Sequence, residues 1–163
     1  MPNFIYHCRK GYRPFFVPDF LVSFSNAKTK KLNEDYFGKY EWENKTILIV
    51  EDDVSSTFYL KEVLTDTGAN LIFVIDGRSA IKACEENKSI DLVLMDIQLP
   101  VLDGYQATIE IKKIRPDLPV IAQTAYALIE ERQRCYDVGC DDYIAKPIEP
   151  LRLLNKISTF LNN

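Results

Sequence analysis

The 163-residue chain has a single histidine, His7, one tryptophan and two methionines. Nothing resembling a histidine-bearing dimerisation helix surrounds His7, and there is no ATP-binding glycine box. A self-phosphorylating kinase core is thereby excluded. Cysteines are equally sparse: Cys8, Cys84, Cys135 and Cys140 form no CxxC pair and no metal-ligand rhythm. They read as reduced thiols of a cytosolic protein rather than as a disulfide framework. No apolar run reaches the roughly 18 residues that span a bilayer. The nearest candidate, FFVPDFLVSF at 15–24, is interrupted by Pro18 and Asp19 and lacks a convincing cleavage site. A cytoplasmic location and no membrane contact are therefore expected. A basic excess is missing too: 20 Lys and Arg face 24 Asp and Glu, with a pI near 5.1. Direct DNA binding is not expected of such a balance.

What is present divides the chain in two. Residues 1–43 hold eleven of the nineteen aromatics and three of the eight prolines, with no helical or strand period. They read as an N-terminal extension of uncertain structure. Residues 44–163 carry thirteen basic and nineteen acidic residues, a net of −6, and their pattern is regular. Short apolar runs occur at 46–50, 70–75, 91–95, 119–123 and 142–145. Between them lie helical spacings. Val54, Phe58, Val63 and Leu64 make one face, stopped by Gly68; Ala80, Ile81 and Cys84 make a second. Ala107, Ile111 and Ile114 make a third, and residues 127–138 a fourth helix that ends at Gly139. Pro150 opens a fifth, lined by Leu151, Leu154, Ile157 and Leu161.

Five strands alternating with five helices imply right-handed crossovers and a parallel sheet covered on both faces. Near-continuous apolar strands agree with burial from both sides. The expected architecture is an α/β, flavodoxin-like, doubly wound (βα)5 domain with a five-stranded parallel sheet in the order 2-1-3-4-5.

The chemically unusual residues fall at the carboxyl ends of those strands, where open parallel sheets hold their ligands. Glu51, Asp52 and Asp53 follow the first strand, and Asp96 follows the third in LVLMDIQLPVLDG. Thr124 follows the fourth in VIAQTAYA, and Lys146 the fifth in DDYIAKPI. In the expected order the first and third strands are neighbours, so Glu51 and Asp52 meet Asp96. Like charges at about 4 Å repel by roughly 4 kcal/mol at an effective dielectric near 20, so the cluster invites a cation. Carboxylates without histidine or cysteine suit a hard, oxygen-seeking ion, Mg2+ first. Lys146 adds a point charge and Thr124 a hydroxyl donor. A carboxylate nucleophile, a metal, an ammonium and a hydroxyl together suit phosphoryl transfer. Asp53 reads instead as a charge at a helix N-terminus, Ser55 and Ser56 as first-turn residues, and Gly104 as a turn residue opening the third helix.

The acid pair, MD…LPxxDG, T-A and KP, in order and at suitable spacing, resemble the receiver domain of two-component response regulators over about residues 44–163. The resemblance implies that Asp96 is the phosphoacceptor, taking a phosphoryl group from the phosphohistidine of a histidine kinase or histidine phosphotransfer protein. It implies Mg2+ bound by Asp52, by Glu51 mainly through water, by Asp96 and by the main-chain carbonyl of Gln98. Thr124 and Tyr143 match the paired switch positions, Lys146 should contact Asp96 and then the phosphate, and the Lys146–Pro147 bond is a candidate for cis. Glu51 departs from the Asp found in many relatives without abolishing metal binding. The domain would be a signalling phosphoacceptor rather than an enzyme, catalysing only its own phosphotransfer and dephosphorylation.

DIQLPVLDGYQATIEIKKIRPDLPVIAQTAYA and GCDDYIAKPI are similar to receivers of hybrid histidine kinases, so both a free-standing receiver and a relay intermediate detached from such a kinase stay open. With no output domain expected after the fifth helix, output would be a protein–protein event on the helix 4–strand 5–helix 5 face, including Ala127–Tyr136 and Tyr143. Three other chemistries fit worse: EDDVSS would repel an FMN phosphate, a dehalogenase-type phosphatase wants an acid where Gln98 stands, and a Toprim-type metal site fails for the same reason. A receiver-like interaction module without phosphoryl turnover is the alternative from another class.

Overall fold

The computed structural model describes residues 40–125 and 129–162. The expected extension, up to residue 39, and Ala127 of the expected signalling face lie outside them. Five strands and five helices alternate: β1 (Thr46–Val50), α1 (Val54–Thr65), β2 (Asn70–Val74), α2 (Gly77–Glu86), β3 (Leu92–Asp96), α3 (Gly104–Ile114), β4 (Val120–Thr124), α4 (Ile129–Asp137), β5 (Asp142–Ala145) and α5 (Pro150–Leu161). All pairings are parallel, in the order β2-β1-β3-β4-β5. Every residue of β1, β3 and β4 is buried, as strands covered on both faces require.

Strand alternation divides the apolar side chains between two cores. Ile47, Ile49, Leu92, Leu94, Ile121 and Ile144 face α1 and α5. Leu48, Val50, Val93, Met95, Val120 and Ala122 face α2, α3 and α4. Each fully buried aliphatic side chain contributes about 1.5–3 kcal/mol. The first core also takes in two aromatics from before position 44. Tyr40 and Trp42 are 4% and 1% exposed, with ring centroids 5.7 Å apart. The Tyr40 hydroxyl donates to Asn155 Oδ1 at 2.7 Å, and Trp42 Nε1 donates to Asn162 Oδ1 at 3.2 Å.

Two helix faces differ from the sequence expectation. In α1 the buried residues are Leu60, Val63 and Leu64, while Val54 and Phe58 are 82% and 49% exposed. At 3.6 residues per turn Phe58 stands about 160° round the helix from Leu60, so the two cannot share a face. In α5 the inner face is Leu153, Leu154, Ile157 and Leu161, with Leu151 only half-buried. Capping fixes the helix starts: Asp53, Asp76 and Asp103 accept from Ser56, Ser79 and Gln106 N–H at 2.7, 2.8 and 2.8 Å. Glu149 accepts from Leu151 and Arg152 N–H ahead of the Pro150 turn. Each cap satisfies donors that the first turn leaves open and meets the positive end of the helix dipole. Among the described residues no helix is long and apolar enough to cross a membrane.

Candidate functional site

Register assembles the site. Val50 stands beside Met95, so one step further Glu51 leaves β1 beside Asp96 at the end of β3. Asp96 pairs with Gln123, and Thr124 with Ala145, which puts Lys146 one step past β5. Backbone bonds continue the ladder beyond the strand ends. Glu51 N–H donates to Val74 O at 3.1 Å, Ile97 N–H to Gln123 O at 3.1 Å, and Lys146 N–H to Thr124 O at 2.8 Å. Asp96 and Thr124 therefore close β3 and β4, while Glu51, Asp52 and Lys146 lie one or two residues past the ends of β1 and β5.

One ligand oxygen from each of Glu51, Asp52 and Asp96 lies within 4.8 Å of the others. Glu51 and Asp96 are 2% and 4% exposed, whereas Asp52 is open to solvent. Lys146 Nζ donates to Glu51 Oε2 at 2.8 Å and to Asp96 Oδ2 at 2.6 Å. The other Asp96 oxygen, Oδ1, accepts from Gln98 N–H at 2.9 Å. Burial raises the Glu51 carboxyl pKa above its ordinary 4.5; the Lys146 hydrogen bond opposes that and the Asp96 charge adds to it. Burial works against the Lys146 ammonium, but hydrogen bonds to Asp96 and Glu51 outweigh it and hold the pKa above the usual lysine value. The carboxylates thus crowd one another while a single ammonium spans two of them. A divalent cation would relieve the remaining repulsion, and an all-oxygen donor set suits a hard ion. Asp53 stands apart as the α1 cap, its pKa lowered by the Ser56 N–H bond.

Thr124 ends β4 and is 3% exposed. Tyr143 is half-buried on β5, edge-on to Tyr136 at 6.2 Å, with the Arg132 guanidinium 4.9 Å and Lys156 Nζ 5.5 Å from its ring. The Lys146–Pro147 peptide is cis. Beside the acids, Ser55, Tyr59, Leu60 and Ile148 border a groove of about 370 Å3 that reaches Lys146 and Pro147.

The comparisons with known proteins meet this geometry. The family described as "Response regulator receiver domain" matches residues 47–158. The chain belongs to the response regulator receiver family. It is similar to the Hybrid signal transduction histidine kinase I of Dictyostelium discoideum, 37% identical over 121 residues covering 69% of this chain and 7% of that kinase. The Sensor protein GacS of Pseudomonas syringae pv. syringae is 36% identical over 112 residues, 66% of this chain and 12% of that protein. The receiver therefore spans a small part of the length of these relatives. Among solved structures, the receiver domain of sensor histidine kinase PA1611 from Pseudomonas aeruginosa PAO1, with a magnesium ion coordinated in its active-site cleft, is 35% identical. That comparison has a TM-score of 0.69 and covers 74% of this chain and 99% of the other. A CheY-like receiver domain protein from Methanospirillum hungatei JF-1 is 33% identical at a TM-score of 0.67, covering 72% and 94%.

Several features of this receiver escaped the sequence reading. Gly104 is more than a turn residue: an added Cβ would lie 2.1 Å from Asp96 O and 2.8 Å from Ile97 Cα. Only glycine lets α3 start against the backbone of Asp96. Val101 has φ 67°, and Leu102 N–H closes back on Pro100 O at 2.7 Å. This three-residue turn is one that β-branched residues seldom adopt. Gln123 is fully buried next to Asp96 with neither amide atom hydrogen-bonded. A polar residue inside an apolar strand was the available signal.

Proposed function

We propose that this receiver accepts a phosphoryl group on Asp96 from the phosphohistidine of a histidine kinase or histidine phosphotransfer protein. The observation that carries this reading is the meeting of Glu51, Asp52 and Asp96 under one lysine that bonds two of them. An Asp96 carboxylate oxygen attacks phosphorus; the P–O bond forms as the P–N bond to imidazole breaks, and the product is an acyl phosphate. Lys146, already on Asp96, pairs with the phosphoryl oxygens as charge accumulates there. The Thr124 hydroxyl, fixed at the end of β4, donates to the same group. Glu51, Asp52, Asp96 and the Gln98 carbonyl would hold Mg2+, which supplies neutralisation of phosphoryl charge. The groove between α1 and the β5–α5 connection opens beside Lys146, which bonds Asp96, and offers a surface on which the donor protein can dock.

The acyl phosphate then biases the α4–β5–α5 face, with Thr124 drawn toward the phosphoryl group and the Tyr143 ring turned inward. The readout is a protein–protein contact. Incubation with Mg2+ and a small acyl phosphate should add one phosphoryl group to the wild-type mass and none to Asp96→Asn. Equal modification of both would remove Asp96 from the role, and no modification of either would leave the interaction module without turnover as the better reading. Asp52→Ala should weaken Mg2+ binding at least tenfold, against less than about twofold for Asp53→Ala, because Asp53 already serves as a helix cap. Comparable losses in a metal titration would show that the metal-binding acids are misassigned by one residue.

A further inference from the structure

The C-terminal end of α4 closes in a Schellman motif. Cys140 N–H donates to Cys135 O at 2.9 Å, Gly139 N–H donates to Tyr136 O at 3.0 Å, and Gly139 takes φ +101°. The motif brings the side chains of its first and last residues together, ordinarily as an apolar contact. Here both are cysteines. Cys135 and Cys140 are 0% and 4% exposed, and both are free thiols. The backbone bond caps their Cα separation at about 6.8 Å with standard bond lengths, the upper end of the roughly 4.4–6.8 Å that disulfides span.

Cys84 supplies the contrast. It is also fully buried, but among the described residues no thiol is recorded against it, and burial pushes its pKa up to about 11. Cys135 is shifted the other way, first by the neighbouring Cys140 thiol, which gives it the greater thiolate character of the pair. Cys140 Sγ is also 3.9 Å from Thr108 Oγ1 of α3. Access to the pair depends on α4, whose only fully buried residue among those described is Cys135 itself. A helix with so little buried anchoring opens locally at low cost.

We propose that Cys135 and Cys140 form a thiol pair that peroxides oxidise to a disulfide, stapling the C-terminal end of α4 to the start of β5. The Cys135 thiolate attacks one peroxide oxygen, forming an S–O bond while the O–O bond breaks and hydroxide leaves. Cys140 sulfur then attacks the Cys135 sulfur; the S–S bond forms, the S–O bond breaks, and the oxygen departs as water with the Cys140 proton. Two thiols lose two electrons and one hydrogen peroxide becomes two waters. The staple sits within the α4–β5–α5 face, so it restrains the element that phosphorylation is proposed to move; this consequence rests on the phosphoacceptor reading above.

The test treats the full-length protein with hydrogen peroxide, blocks remaining thiols and digests with trypsin. Cleavage after Arg134 and Arg152, with Lys146–Pro147 resistant, leaves both cysteines in one peptide, 135–152. That peptide should lose two hydrogens and refuse alkylation, while the Cys84 peptide stays alkylatable, and a thiol reductant should reverse the change. In Cys140→Ala, checked for folding by circular dichroism, Cys135 should instead gain oxygen with no loss of hydrogen. Oxygen addition to wild-type Cys135 without cross-linking, or alkylation of both thiols after treatment, would overturn the pair. The signalling consequence is read separately: adding acyl phosphate should change hydrogen exchange in α4 at least twofold less in the oxidised than in the reduced protein. Equal changes would overturn the coupling and leave the disulfide standing, whereas a reduced protein that takes no phosphoryl group would fault the phosphoacceptor reading alone.

Discussion

The two helices on either side of β5 are held very differently. α5 starts at a Pro150 turn capped by Glu149 and buries Leu153, Leu154, Ile157 and Leu161, with Tyr40 and Trp42 bonded along it. α4 buries Cys135 alone among its described residues and leaves Ile129 82% exposed. Its other described ties are ring contacts and a hydrogen bond: Tyr136 and Arg132 lie against the Tyr143 ring, Tyr105 of α3 donates to Glu131 at 2.5 Å, and the Arg134 guanidinium lies 4.1 Å from the Tyr105 ring centre. Apolar burial is non-directional and cumulative, whereas a few polar contacts can be exchanged for others at little net cost. One helix is therefore anchored by apolar burial and its neighbour by a few exchangeable contacts.

Substitutions can break that contrast. The largest expected loss is Trp42→Ala, about 3–5 kcal/mol from a large-to-small change in the core, read by denaturant unfolding. A loss under about 1 kcal/mol would mean that the aromatics before β1 do not anchor the α5 side. Lys146→Met comes next, at about 2 kcal/mol near neutral pH, because Glu51 and Asp96 lose the charge that spans them. Mg2+ should restore most of that loss and stabilise the variant more than the wild type; equal stabilisation of both would separate the lysine from the metal. The smallest effect belongs to Tyr105→Phe, about 1 kcal/mol in global stability, with hydrogen exchange accelerated mainly in α4. Acceleration spread evenly over α4 and α5 would erase the distinction.

The strands were legible in the sequence because burial on both faces writes a continuous apolar run, and the expected segments differ from those found by a residue at most. The meeting of the acids was legible for a related reason: strand order and register together decide which strand ends touch. The α1 face was harder, since Val54 and Phe58 are apolar residues that the fold leaves in solvent, and weak amphipathicity does not say which apolar residues turn inward. Tyr40 and Trp42 carried no period because their partners, Asn155 and Asn162, lie more than a hundred residues away in sequence. The tight approach at Gly104 depends on how closely α3 meets the end of β3, a tertiary distance that no local pattern encodes.

The bond between Trp42 and Asn162 means that the backbone is gathered at both limits of the packed unit, on the side of the sheet remote from the carboxylates. That bond ties the stretch before β1 to the residue after α5 at the opposite pole from Asp96.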